Sequence, residues 1–263
     1  MTENQDSNLS NLETLSWHYQ PGQSFSALPW GPHRLPVKLA LDDLSLSLEK
    51  SGTGYLYRRE DQSGSVEKLV QSGKGEIYLC PVEPFHYPAG ISQHLLLELA
   101  HPVLLEPRKS AKLFLTAPLD IAVNYTRKRG EDAVLDRFSF LKPKLSLYGP
   151  VKSGLICRYW LSTIHENIPH LNPLAEAVLQ LKINNGGNRW AEVSQVVFSA
   201  QAMKIYYNPQ LVAMQATMKI NNDLTAETTF IDEPLKAGMR KAPEQFSARL
   251  LSLPGRMVME EGY

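Results

Sequence analysis

The sequence predicts an all-β protein, an antiparallel β-sandwich formed as one large or two joined sandwiches, with a short C-terminal helix. The first observation is that apolar and polar residues alternate with a period of two, which places one apolar face on a strand. The clearest stretch is 211–220, where that face would carry Val212, Met214, Ala216, Met218 and Ile220. The second is that such runs recur about every ten residues between turn-forming clusters. The third is that no segment before position 243 has the spacing of a long helix.

Composition limits the classes of function. The chain has 263 residues, of which 43% are hydrophobic, so it can bury a large core. Its 27 Lys and Arg residues balance 27 Asp and Glu residues, which argues against a nucleic-acid partner because such proteins usually carry a basic excess. Residues 1–11 lack the basic and apolar regions of a signal peptide, and no apolar run is long enough for a transmembrane segment. We therefore expect a soluble, cytoplasmic protein.

The two cysteines, Cys80 and Cys157, lie in largely apolar, strand-like runs. Because no export signal is predicted, we expect two reduced, buried thiols rather than a disulfide. Two cysteines are also too few for a zinc ribbon. No phosphate-binding loop or dinucleotide fingerprint occurs, so no cofactor is predicted.

The predicted organisation has four parts: a flexible leader over 1–20, two β-sandwich halves over 21–126 and 127–235, and a helix and tail over 236–263. In the first half the apolar phase of 37–41 flips at 42–43, which indicates either two strands with a tight turn or one strand with a bulge. One phase then holds from Ala111 to Tyr125. Within it, Pro118 must interrupt the ladder or lie on an edge.

Two local features mark the second half. Residues 185–188 read Asn-Gly-Gly-Asn, which supplies positive φ and predicts a hairpin between the flanking strands. Further on, Phe246, Leu250 and Leu253 are spaced on one helical stripe that follows Pro243, so a helix is expected over 243–253. Cations surround this stripe. It can therefore dock on its own sheet, on a partner, or on an anionic membrane surface.

Several segments together resemble a known family. They are Leu-Ser-Leu-Tyr-Gly-Pro at 145–150, Gly-Leu-Ile-Cys-Arg-Tyr-Trp at 154–160, and the stretches 113–118, 181–185 and 190–194. This pattern, over about residues 90 to 232, resembles an uncharacterised prokaryotic family known only as a domain of unknown function. Members of that family are sometimes encoded beside small mechanosensitive channels, which implies a membrane-associated protein partner. The resemblance implies no activity, ligand or catalytic residue.

The segment 165–170 superficially resembles a zinc-protease motif, because it contains His165, Glu166 and His170. That motif needs histidines at i and i+4 on a helix, whereas these two are five residues apart with Pro169 between them. As a loop, the segment can still bind a metal with a further ligand such as His101 or Asp120. A solvated loop is the favoured interpretation, and no metal site is predicted.

Alternation in the strand around Cys157 places Arg158 and Trp160 on one face. Arginine beside an aromatic ring is typical of binding surfaces, and a structural stack over a sheet edge is the favoured alternative. A nucleophilic Cys157 would need an exposed thiolate and a base such as His165, so a core cysteine is favoured. Upstream, the aromatic residues of the Pro-rich loop 81–88 either line a concave site or cap the end of a sandwich.

The sequence therefore favours a non-catalytic binding or interaction module with a protein partner. Its candidate binding residues are Arg158, Trp160, His165, Glu166 and His170. The alternative is a metal-dependent or Cys/His hydrolase that uses the 157–170 region. Because sandwiches perform both kinds of function, the fold class does not choose between them.

Overall fold

The computed structural model describes residues 12–21, 28–62, 64–72, 75–86, 88–126, 132–244 and 256–263. These residues form an all-β structure of several sheets, in which the only helical element is a single 3-10 turn at Ala200–Ala202. No helix in this part of the chain is long and apolar enough to cross a membrane. The helix predicted over 243–253 lies outside the described residues, except for 243–244, which are not helical.

The strands are numbered in chain order. The first eleven are β1 (Thr14–Trp17), β2 (Gly31–Arg34), β3 (Val37–Leu41), β4 (Leu44–Ser51), β5 (Gly54–Asp61), β6 (Gly64–Val70), β7 (Glu76–Val82), β8 (His94–Leu105), β9 (Ser110–Pro118), β10 (Asp120–Thr126) and β11 (Ala133–Phe138). The others are β12 (Leu145–Tyr148), β13 (Leu155–Ser162), β14 (Ile164–His165), β15 (Glu176–Asn185), β16 (Ala191–Ser199), β17 (Tyr206–Tyr207), β18 (Val212–Ile220), β19 (Ala226–Ile231), β20 (Arg240–Lys241) and β21 (Arg256–Met259).

The chain forms two compact units, and each contains two separate stretches of sequence. Unit 1 consists of residues 1–80 and 122–136, and unit 2 of residues 81–121 and 137–263. The predicted halves, 21–126 and 127–235, are by contrast continuous in sequence. The predicted leader also included residues 14–17, which the structure places in β1, parallel to β3.

Unit 1 contains a five-stranded sheet in the order β1-β3-β4-β5-β6. The phase flip at 42–43 is a tight turn between two antiparallel strands, and Asp42 adopts a φ of 51° there. A buried polar network fixes β11 to this sheet. The Tyr57 hydroxyl and the Arg59 Nε both donate to the Asp136 Oδ2, at 2.8 and 2.7 Å. Burying these polar groups is tolerable because each has a partner.

Unit 2 contains a four-stranded sheet, β12-β13-β8-β16, and an eight-stranded sheet. The larger sheet has the order β14-β9-β15-β18-β17-β20, and β19 pairs with both β18 and β21. The predicted strand over 211–220 is confirmed as β18, and all of its predicted apolar positions are buried. β9 ends at Pro118, and β10 then joins a different sheet, so Pro118 does interrupt the predicted ladder.

The hairpin predicted at 185–188 is wrong. β15 belongs to the eight-stranded sheet and β16 to the four-stranded sheet, so the loop between them connects two sheets. Neither Gly186 nor Gly187 has a positive φ. The physical reason is the buried amide of Asn185, whose Nδ2 donates to the carbonyls of Leu105, Glu106 and Arg189. The asparagine thus joins this loop to the β8–β9 connection instead of forming a hairpin turn.

The end of the chain packs on its own sheet. β21 pairs antiparallel with β19, and Met259 is fully buried. Beyond it, the Tyr148 hydroxyl donates to the Gly262 carbonyl at 2.9 Å and accepts from the Glu261 N–H at 3.0 Å. Of the alternatives for the C-terminal tail, own-sheet docking therefore holds for residues 256–263, whereas residues 245–255 lie outside the described ranges.

Candidate functional site

The β12–β13 hairpin positions Arg158 in unit 2. Its turn uses Gly149, which has a φ of 92°. Gly154 returns so close to the first strand that a Cβ there would lie 2.7 Å from the Tyr148 carbonyl oxygen. Only glycine fits such a close approach. Once paired, the strands place Arg158 directly opposite Leu145, and both side chains share one face.

Arg158 lines a small cleft of unit 2 that is partly open to solvent. The walls are otherwise uncharged and are formed by Pro84, Phe85, Pro88, Ile91, Ser92, Pro143 and Leu145. The Ser92 hydroxyl donates to the Ile156 carbonyl at 2.7 Å, which attaches the 84–92 loop to β13. The sequence left open whether aromatics in this loop line a site or cap a sandwich. Phe85 lines the cleft with Arg158.

Arg158 as a whole residue is only 3% exposed. Its Nε and Nη1 atoms are buried, and neither has a hydrogen-bond partner among the described residues. Burial lowers the pKa of the guanidinium, and the charge of Asp120 acts in the opposite direction. A buried cation with free donors is costly, so it indicates a site where an anion is expected.

Asp120 interacts with Arg158 by charge and is fully buried at the start of β10. Its Oδ2 accepts a hydrogen bond from the His86 backbone N–H at 3.0 Å, and the Ser139 side chain also bonds the carboxylate. Burial raises the pKa of Asp120 to about 6, although these hydrogen bonds and the charge of Arg158 act to lower it. The His86 Nε2 lies 3.3 Å from a Glu83 carboxylate oxygen in the same loop. Asp120 is thus a buried acidic neighbour that offsets part of the cost of burying the Arg158 charge.

Trp160, the predicted companion of Arg158, does not line the cleft. Its indole Nε1 donates instead to the Thr116 hydroxyl of β9 at 3.0 Å. This bond joins the four-stranded sheet to the larger sheet. The position of Trp160 is therefore explained by contact between two sheets of the same unit.

The other predicted binding residues are also outside the cleft lining. His165 is half-buried in β14, where its Nε2 lies 2.9 Å from the Thr163 hydroxyl, while Glu166 and His170 are exposed. Within the described ranges, no group of three or more His, Cys, Asp or Glu side chains is arranged to hold a metal. Of the five predicted binding residues, Arg158 is the one that lines this cleft.

Both cysteines are buried and neither forms a disulfide, as predicted. The Cys157 thiol donates to the Leu155 carbonyl, with sulfur and oxygen 3.4 Å apart, and burial raises its pKa to about 11. Reactive cysteines have lowered pKa values and accessible thiols. The geometry therefore does not support the nucleophile required by the Cys/His hydrolase alternative.

We expect neither thiol of the folded protein to react quickly with a maleimide probe near neutral pH, because only an exposed thiolate reacts. Mass spectrometry after timed labelling measures this, and protein unfolded in urea serves as the positive control. Rapid labelling of native Cys157 alone would contradict the buried assignment and support a nucleophilic role.

The sequence analysis did not identify Glu83 or Ser139, and it named Asp120 only as a candidate metal ligand. Asp120 follows Pro118 within an otherwise apolar run, and a charged residue there was the one available signal. An aspartate buried in a strand needs partners. Those partners come from other segments, so the sequence spacing could not reveal them.

Comparison with known proteins gives one match. None of the curated proteins and none of the solved structures matches this chain. The model of the family described as "Protein of unknown function (DUF432)" matches residues 29–260, which is most of the chain. The predicted resemblance to a domain-of-unknown-function family is thereby confirmed, and the chain belongs to the DUF432 family.

Proposed function

We propose that this protein is a non-catalytic binding module whose Arg158 cleft binds a carboxylate group. The observation that carries the proposal is the buried guanidinium whose Nε and Nη1 donors have no partner in the described part of the chain. Natural proteins keep costly polar groups in the interior mainly where they serve a function. A bound anion would supply the missing acceptors.

The shape and chemistry of the cleft favour a carboxylate among anions. A guanidinium presents its donors in a planar fork that matches the two oxygens of a carboxylate. The surrounding Pro84, Phe85 and Leu145 side chains make the walls apolar, which strengthens the interaction. They also offer contacts to a short apolar group attached to the carboxylate.

Three further proposals concern the arrangement of the sheets, the cellular compartment and the partner. We propose that the two sheets of unit 2 form a sandwich, because Trp160 and Thr116 bond across them. The thiols of Cys80 and Cys157, which form no disulfide, suit a reducing compartment such as the cytoplasm. The resemblance to a prokaryotic family further suggests a membrane-associated protein partner, such as a small mechanosensitive channel.

Thermal unfolding with butyrate and with its uncharged isostere butyramide tests the carboxylate site. We expect butyrate to raise the melting temperature of the wild type, because a ligand that binds only the folded state stabilises it. Butyramide and an equal ionic strength of chloride should have no such effect. Arg158→Met should lose the butyrate response.

Arg158→Met also has a measurable effect without ligand. At a pH below about 5, where Asp120 is protonated and loses no countercharge, the variant should melt at or above the wild-type temperature, because methionine removes a buried charge while filling similar space. Arg189→Met, at an exposed position paired with Asp223, is the matched control and should keep the full butyrate response. An equal butyrate response in Arg158→Met and the wild type would refute the carboxylate site.

A further inference from the structure

An exposed apolar strip continues from the Arg158 cleft along the β12–β13 hairpin. The antiparallel register places Leu147 opposite Ile156 and Leu145 opposite Arg158, so these four side chains share one face. Leu145, Leu147 and Ile156 are 47%, 39% and 52% exposed. We call these three residues the β12–β13 strip. Exposed apolar side chains that are contiguous with a polar cleft are typical of interaction surfaces.

The backbone beside this strip is also open. β12 is the end strand of its sheet, and no other strand in the described ranges pairs with its outer side. The Tyr159 N–H donates to the Lys144 carbonyl at 2.9 Å. This bond shows which residues of β12 direct their backbone groups toward β13 and which direct them outward. Leu145 and Leu147 therefore direct their backbone N–H and C=O groups away from β13. An extended peptide can pair with such an edge.

The sequence around the hairpin is basic. The segment 137–165 carries five Lys and Arg residues and no acidic one, although the whole chain is neutral. At the Tyr148 end of β12, the side chain of Glu261 lies beside Gly149 and would repel an acidic side chain there. Arg158 lies opposite Leu145, so an acidic side chain of a ligand is expected at the Leu145 end of β12.

We propose that the edge of β12 binds an extended segment of a partner protein, with apolar side chains on the β12–β13 strip and one Asp or Glu side chain in the Arg158 cleft. This inference rests on the proposed carboxylate site and names the source of the carboxylate. Backbone pairing supplies affinity and the cleft supplies specificity. A single acidic side chain has the two acceptor oxygens that the Nε and Nη1 donors of Arg158 lack in the described part of the chain.

An anionic membrane is the competing occupant, because Val151 at the hairpin turn is 90% exposed and is followed by Lys152. A bilayer, however, cannot pair with the backbone of β12, since its interior has no hydrogen-bonding groups. Nor does it account for a buried guanidinium inside a narrow cleft. These two features favour a peptide.

Fluorescence polarisation with synthetic peptides tests the inference. The probe is a labelled peptide with both termini blocked, with valine at alternate positions, one glutamate in the same alternate set, and threonine elsewhere. Its matched control has glutamine in place of glutamate. We expect wild-type protein to bind the glutamate peptide about tenfold more tightly, because a charge-assisted hydrogen bond is lost in the control. Arg158→Met should bind both peptides equally.

Two further experiments distinguish binding to the β12–β13 strip from backbone pairing at the edge of β12. The double variant Leu147→Ser, Ile156→Ser should bind both peptides several-fold more weakly and still respond to butyrate, because it retains Arg158. A peptide N-methylated on the amides that face β12 should not bind, whereas methylation of the alternate amides should be tolerated. Equal binding of the two methylated peptides would overturn strand pairing.

The outcomes distinguish this inference from the proposed function. If the protein responds to butyrate but binds the glutamate peptide no more tightly than butyrate, the carboxylate site stands and the peptide edge is refuted. If it binds neither, both proposals fall. If it sediments with phosphatidylglycerol vesicles, loses this in Val151→Ser and binds no peptide, the surface is a membrane contact and the inference is wrong.

Discussion

Replacing Asn185 with alanine is expected to lower the free energy of unfolding by about 3–4 kcal/mol, because several buried hydrogen bonds are lost together. The Asn185 side chain is 3% exposed and donates to three carbonyls on two connections between sheets. Its Oδ1 also accepts from the Gly187 N–H at 2.9 Å. Alanine removes all four bonds and leaves polar backbone groups in the interior. Urea unfolding measures the loss.

The matched control is Asn188→Ala in the same loop. Asn188 is exposed, and its Oδ1 accepts from the exposed Arg108 guanidinium at 2.8 Å. An exposed bond of this kind contributes little, so we expect a loss below about 1 kcal/mol. Equal losses in the two variants would contradict the assignment of Asn185 as the residue that joins the two connections.

Replacing Asp120 with asparagine is expected to stabilise the protein above about pH 7 and to flatten its pH dependence. In the folded state the pKa of Asp120 is raised from 3.8 to about 6. The folded protein therefore holds this proton more tightly than the unfolded chain does. Its contribution to stability is fully present below pH 3.8 and is lost as the pH rises to about 6, a change on the order of 3 kcal/mol.

Asparagine has no proton to lose there, and its Oδ1 can still accept from the His86 N–H. Arg158 and His86 both act on Asp120 by charge. The variant leaves these two residues in place, so only the carboxylate changes. Urea unfolding at several pH values, taken as variant minus wild type, removes the contribution of the other titrating groups. Asp232→Asn is the control, because Lys241 holds the pKa of that carboxyl below its usual value and its loss gives no gain at neutral pH. A constant difference between Asp120→Asn and wild type across this range would disprove the raised pKa.

Together these variants test different parts of the molecule. Asn185 acts on the connections between sheets and is not among the residues that line the cleft. Asp120 provides a buried negative charge that interacts with Arg158. If Asn185→Ala only destabilises the fold and Asp120→Asn changes the pH dependence, the structural and electrostatic arguments are confirmed separately.

The sequence by itself determined the strands and the family. Alternation along 211–220 and the phase flip at 42–43 are local properties, since a strand exposes alternate residues whichever strand it pairs with. The two cysteines were correctly predicted to be buried and without a disulfide because their neighbours are apolar. The segments 113–118, 145–150, 154–160, 181–185 and 190–194 together indicated the family.

Only the tertiary structure decided which strands pair and which side chains meet. Asn-Gly-Gly-Asn at 185–188 has the local chemistry of a hairpin, but buried partners on the β8–β9 connection determined its conformation. The Arg158 cleft likewise combines the 84–92 loop, the β12–β13 hairpin and Asp120, which comes 34 residues after its hydrogen-bond donor His86. Strand pairing joins residues that are distant in sequence, and neither periodicity nor motif spacing records which ones. For this reason Arg158 could be identified as a candidate from the alternation of its strand. Only the fold revealed that two of its donors lack partners among the described residues, that its cleft has apolar walls, and that Asp120 interacts with its charge.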